Sequence, residues 1–133
     1  MSAPLPSPPT AAATLLVACL CAQWCRTCDA YRDTLAATRD AMRRAHPEAT
    51  LRFVWVDIED ESDLVGELDI EDFPTILISR DADVLFFGPV MPHAQTLDRL
   101  VRSALEHPAV LARETLAPDV AALPGRLAGH GAI

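Results

Sequence analysis

Leu15 to Cys21 is an unbroken apolar run, with prolines before it and a cysteine motif after it. About seven apolar residues between such signals predict a strand buried on both faces of a sheet. From Cys25 to Ala45 there is no Pro or Gly, and Cys28, Tyr31, Leu35, Thr38, Met42 and Ala45 recur at spacings of three and four. That spacing predicts a helix with one buried face, and Arg32, Asp33, Arg39, Asp40, Arg43 and Arg44 mark its solvated side. His46-Pro47 stops it, because a proline disfavours the helical conformation of the residue before it. Leu51 to Val56 predicts a second strand, rich in β-branched and aromatic residues. Ser62 to Leu68 predicts a short helix with Ser62 as its cap and Leu64, Val65 and Leu68 as its apolar face. Thr75–Ser79 and Val84–Phe87 predict two strands joined by a hairpin-like loop at residues 80–83. Pro92 opens a last amphipathic helix with Leu97, Leu100, Val101, Ala104 and Leu105 on one face, and Pro108 closes it.

The order of elements implies a parallel βαβ unit followed by an antiparallel hairpin and a covering helix, an α/β arrangement. The 133 residues suit one domain. Residues 1–13, with four prolines, read as a disordered leader, and 14–107 as the folded domain. Residues 108–133 read as an extension, partly helical or loose, with Val110, Leu111, Leu116, Val120, Leu123 and Leu127 around Pro118 and Pro124.

Charge narrows the partners. All 11 basic residues are arginine, against 19 acidic ones, for a net charge of −8. Nucleic acid is thereby disfavoured, because phosphate binding needs clustered positive charge. Nine of the acidic residues lie between Asp57 and Asp72, a stretch with no basic residue. That run reads as a solvated face, or as a rim that disfavours acidic partners. The apolar residues 11–22 are too few to span a bilayer, and the first basic residue, Arg26, lies beyond them. A cytoplasmic protein without membrane contact is expected. Export or a lipid anchor through this segment, where Leu16-Val17-Ala18-Cys19 looks like a lipoprotein cleavage box, is the alternative.

The four cysteines, Cys19, Cys21, Cys25 and Cys28, fall within ten residues. Such clustering points to redox catalysis or metal binding rather than to a disulfide framework. In Trp24-Cys25-Arg26-Thr27-Cys28, the two cysteines stand three apart at a strand-to-helix junction and can close a small disulfide ring. Partial positive charge at the helix start, with Arg26 beside it, favours a thiolate at Cys25, and the better shielded Cys28 is suited to resolve a mixed disulfide. Cys19 and Cys21 alternate on one side of their strand beneath this motif and read as buried thiols. The bland reading is a structural zinc pair, completed by those two thiols. The four histidines, His46, His93, His107 and His130, have no metal-ligand spacing.

Here the chain resembles the thioredoxin family. The resemblance rests on Ala22-Gln23-Trp24-Cys25-Arg26-Thr27-Cys28, on Phe73-Pro74-Thr75 before a strand, on Asp57 ending a strand and on Gly88 after the final one. It implies a thioredoxin-like fold with a minimal four-stranded mixed sheet flanked by helices, lacking the family's N-terminal strand and helix. It implies that Pro74 is cis and lies against the CxxC motif, that the backbone at Phe73 pairs with substrate, and that Trp24 and Gly88 border the substrate groove. Two departures stand out: Cys19 occupies the position of the family's buried aspartate, and Trp55 that of its lysine partner. Arg26-Thr27 replaces the usual Gly-Pro between the cysteines, which bears on thiolate tuning.

The expected activity is thiol–disulfide exchange through a Cys25/Cys28 dithiol in a bacterial, monomeric enzyme without an organic cofactor. Its substrates would be protein disulfides or small thiols. The alternatives are a non-catalytic binding or assembly module on the same fold, and a metal-binding protein built on the four cysteines.

Overall fold

The computed structural model describes residues 14–22, 25–68 and 70–133. The expected leader, residues 1–13, lies outside them. Among the described residues the chain runs β1 (Thr14–Cys21), α1 (Arg26–Ala45), β2 (Thr50–Asp57), α2 (Ser62–Val65), β3 (Thr75–Arg80), β4 (Asp83–Pro89), α3 (Ala94–Glu106) and α4 (Pro118–Arg126), with one 3-10 turn at Arg113–Thr115. The four strands form one mixed sheet in the order β2-β1-β3-β4. Strands β1 and β2 are parallel, from Thr14 opposite Thr50 to Cys21 opposite Asp57. Strands β1 and β3 are antiparallel, as are β3 and β4, where the register shifts between Ile78 and Ser79.

The apolar run in β1 is explained by cover on both faces. Leu15, Val17, Cys19 and Cys21 point toward α1 and α3, where Tyr31, Leu35, Met42, Leu97 and Val101 close one core. Leu16, Ala18 and Leu20 point the other way, toward Val65 of α2 and Val120, Leu123 and Leu127 at α4. Each such aliphatic side chain, once buried, contributes about 1.5–3 kcal/mol before the entropy cost of ordering it. Phe86 and Phe87 divide between the two cores, as adjacent residues of a strand must.

Several elements differ locally from the sequence expectation. Helix α2 ends at Val65 because Gly66 takes φ +62°, and Ser62 is its first residue rather than its cap, the N-cap being Glu61. Ala45 is exposed at the end of α1, so the buried stripe stops at Met42. Helix α3 starts at Ala94, with His93 as its N-cap. Residues 118–126 are helical, with Pro118 at the start where a missing N–H costs nothing. Beyond α4 the chain follows the outer edge of β2. The Arg52 guanidinium donates to the carbonyls of Leu127 and His130, and the Ile133 N–H donates to the Phe53 carbonyl at 2.8 Å.

Candidate active site

Strand β1 delivers the chain through Cys21 and Ala22, both buried, to Cys25 at the N-cap of α1. The Cys25 N–H donates to the Ala22 carbonyl at 3.0 Å, and the Cys25 carbonyl accepts from the Asp29 N–H at 3.3 Å. Cys25 is a half-exposed free thiol. It stands at the positive end of a 20-residue helix, beside backbone N–H groups that no side chain caps. Arg26 and Thr27, in the first turn, are exposed. Trp24 lies outside the described residues.

The opposite wall comes from β3. Thr75 pairs with Leu20, so the segment before β3 reaches the same end of the sheet as Cys25. There the Phe73–Pro74 peptide bond is cis. Pro74 is buried, and its carbonyl accepts from the Val90 N–H at 3.0 Å. Thr75 Oγ1 donates to the Asp72 carbonyl at 2.6 Å, which ties the loop to the strand. Phe73 is half-buried and packs against the same core as Cys25. Gly88, opposite Ile76 on β4, has open space around it except for Phe86 at van der Waals distance.

Beneath this rim the sulfurs are arranged in a way the sequence analysis missed. Cys28 is disulfide-bonded to Cys21, not to Cys25. Cys19 Sγ lies 3.6 Å from Cys21 Sγ. The physical reason is orientation: Cys28 sits on the buried face of α1, and Cys19 and Cys21 sit on the face of β1 that α1 covers. Cys25 stands at the rim above them. The signal was present in two periodicities, the strand alternation of Cys19 and Cys21 and the stripe Cys28-Tyr31-Leu35. Placing one element over the other joins them.

The surroundings of Cys19 are dry. Burial pushes its thiol pKa far above the ordinary value, so Cys19 remains protonated. Tyr31 is raised too, first by burial and then by the neighbouring Cys19. Its hydroxyl has no hydrogen-bond partner among the described residues. Cys19 pairs in register with Trp55, which is half-exposed, and the Arg32 guanidinium lies 4.8 Å above the Trp55 ring. One arginine of the expected solvated face therefore covers an aromatic ring.

The acidic run frames the same end of the sheet. Asp57 folds the chain back on itself by accepting from the N–H groups of Glu59 and Asp60 at 2.9 and 3.2 Å. With Ala22, Asp29, Arg32 and Trp55, the carboxylates of Asp57, Asp60 and Glu61 line a cavity of about 300 Å³. Glu71 and Asp72 line another, next to Thr75. Glu61 is engaged by His130 Nδ1 at 3.1 Å. Among the described residues, no group of three or more His, Cys, Asp or Glu could hold a metal ion. Nor is any helix among them long and apolar enough to cross a membrane.

A parallel βαβ unit, an antiparallel hairpin, a cysteine at the first helix start and a cis-proline at the facing strand define a thioredoxin-like fold. The thioredoxin family profile matches residues 10–101, and the chain belongs to that family. Solved structures agree on the fold. A zinc-bound form of human ERp44 matches with a TM-score of 0.58 and 20% identity, over 67% of this chain and 26% of that one. The oxidised mitochondrial thioredoxin 3 of Saccharomyces cerevisiae matches with a TM-score of 0.53 and 21% identity, over 67% and 77%. The germline-specific thioredoxin Deadhead of Drosophila melanogaster matches with a TM-score of 0.53 and 17% identity, over 68% and 80%. The chain thus spans only about a quarter of ERp44. A sequence comparison with curated proteins gave no match.

Proposed function

We propose that the chain is a thiol–disulfide oxidoreductase in which Cys25 attacks a substrate disulfide and Cys28 resolves the mixed disulfide. The observation that carries this is Cys25 itself. It is a half-exposed free thiol at a helix N-terminus, at the sheet end that also holds the cis Phe73–Pro74 bond, with Cys28 about one turn behind. Cys25 Sγ bonds to one sulfur of the substrate and the other leaves as a thiol. Cys28 then attacks Cys25 Sγ, closing the Cys25–Cys28 disulfide and releasing the second thiol. Phe73 and Pro74 would present the substrate backbone, Gly88 and Trp24 would border it, and Arg26 and Thr27 would tune the thiolate. Substrates are protein disulfides or small disulfides, acidic ones disfavoured by the carboxylates around the rim. The setting is bacterial, cytoplasmic and monomeric.

The test is reduction of oxidised glutathione or insulin, coupled to dithiothreitol. Cys25→Ser should lower the rate at least about 100-fold, and Cys28→Ser should accumulate a mixed disulfide on Cys25. Retention of the wild-type rate by Cys25→Ser overturns the reading. The second reading, a non-catalytic binding module, is favoured by one observation: Cys28 is bonded to Cys21 and so withheld from Cys25. It predicts that wild type does not turn over at all.

A further inference from the structure

We propose that Cys21 is a third redox thiol, which draws the disulfide off Cys25 and stores it in the interior as Cys21–Cys28. The proposal rests on the exchange activity proposed above and adds a step to it. Cys28 is the shared sulfur: about one turn of helix separates it from Cys25 at the rim, and it is bonded to Cys21 below. Cys21 and Cys28 are each 1% exposed. Dissolved thiols therefore reduce the stored bond more slowly than an exposed one.

The step balances without an outside reagent. After Cys25 and Cys28 have reduced one substrate disulfide, they hold a Cys25–Cys28 bond. The Cys21 thiolate attacks Cys28 Sγ along the line of that bond. A Cys21–Cys28 bond forms, the Cys25–Cys28 bond breaks, and the electron pair leaves on Cys25 Sγ, which takes up the proton that Cys21 gave up. No net oxidation occurs. A thiolate at Cys21 must form in a dry interior, where an unpartnered charge is costly. Cys19 Sγ, 3.6 Å away, is placed to donate its proton in a hydrogen bond to that sulfur. Once Cys21 is in the disulfide it carries no proton, so Cys19 is the donor in the state observed.

The consequence is a change of behaviour at the rim. With Cys28 held by Cys21, Cys25 can still attack a disulfide but has no resolving partner, so the mixed disulfide persists. Moving one bond inward turns an exchanger into a covalent trap.

Time-resolved disulfide mapping tests this. The reduced full-length chain is mixed with one equivalent of oxidised glutathione, quenched in acid at intervals, alkylated and mapped by mass spectrometry. Cys25–Cys28 should appear first and Cys21–Cys28 later, with Cys25 alkylated in the final state. In Cys21→Ala the bond should stop at Cys25–Cys28. In Cys25→Ser, a change at a half-exposed position, Cys21–Cys28 should form about tenfold more slowly or worse, because its route is gone. If Cys21 is alkylated throughout in wild type while Cys25–Cys28 turns over, the relay is overturned and the exchange activity stands. Formation of Cys21–Cys28 at the wild-type rate in Cys25→Ser would make it a structural bond and also overturn the relay. If Cys28 forms no disulfide at all, both proposals fall.

Discussion

The backbone N–H of Ile133 donates to the carbonyl of Phe53 at 2.8 Å, which lays the end of the chain against the outer edge of β2. An uncovered edge strand offers unpaired N–H and C=O groups to other chains. Here the cover is polar and specific. The Arg52 guanidinium reaches the Leu127 and His130 carbonyls, and His130 Nε2 lies 3.1 Å from the Trp55 carbonyl. Deleting residues 130–133 should lower the unfolding free energy by about 1–3 kcal/mol, the scale of a few lost hydrogen bonds. It should also produce concentration-dependent association, read by light scattering. An unchanged denaturation midpoint with a monodisperse sample would show that the edge needs no cover.

Tyr31 is 1% exposed, and its hydroxyl finds no partner among the described residues. A buried hydroxyl left unpaired loses its hydration and gains nothing in return. Tyr31→Phe keeps the ring in the core under α1 and removes that burden. It should raise the unfolding free energy by about 1 kcal/mol, measured by urea titration. A loss of similar size would mean that the hydroxyl is partnered.

The elements of the sheet were readable because each carries a distinct local signal. The unbroken apolar run identified β1, β-branched and aromatic content identified β2, the turn between Arg80 and Asp83 identified the hairpin, and the stripe from Cys28 to Met42 identified α1. Two things were harder. The chain leaves the helix after Val65 because Gly66 adopts a positive φ. A glycine there is itself a stop signal, but the apolar spacing of Leu64, Val65 and Leu68 masked it. The tail's course along β2 depends on carbonyls of Trp55 and Phe53 and on the Arg52 guanidinium, groups whose use sequence periodicity does not report. The site divided the same way. Cys25 and Cys28 stood out through their spacing. Cys21 did not, because its contact with Cys28 is set by how β1 and α1 stack.

Alkaline pH should weaken the fold through Cys19 and Tyr31. Burial raises both above their ordinary values of 9.0 and 10.0. In the unfolded chain these groups lose protons from about pH 9 and 10 upward, whereas in the fold they keep them. The folded state then binds more protons, so stability is full below pH 9 and falls as pH rises. Unfolding free energies between pH 7 and 10.5 should decline more steeply in wild type than in Cys19→Ala, once each curve is referred to its own value at pH 7. Equal slopes would remove Cys19 from this account.

Gly66 takes φ +62°, and a Cβ built there would lie 2.5 Å from Asp119 Oδ1 and 2.8 Å from its Cγ. The crowding carboxylate is fixed. Its Oδ2 accepts from the Glu67 N–H at 3.0 Å, and its Oδ1 pairs with Arg126 at 2.8 Å. Two penalties therefore meet at one position: backbone strain of about 1–3 kcal/mol for a residue with a Cβ, and displacement of a side chain that holds α4 against the turn after α2. Gly66→Ala should cost about 2–4 kcal/mol in total, read by denaturant unfolding. In an Asp119→Ala background the carboxylate collision is absent. What remains is the strain plus the flexible tip of Arg126, whose Nη1 lies 3.0 Å from the added Cβ, so the same change should cost about 1–3 kcal/mol. If the cost is the same in both backgrounds, the contact with Asp119 plays no part and the positive φ alone explains the glycine.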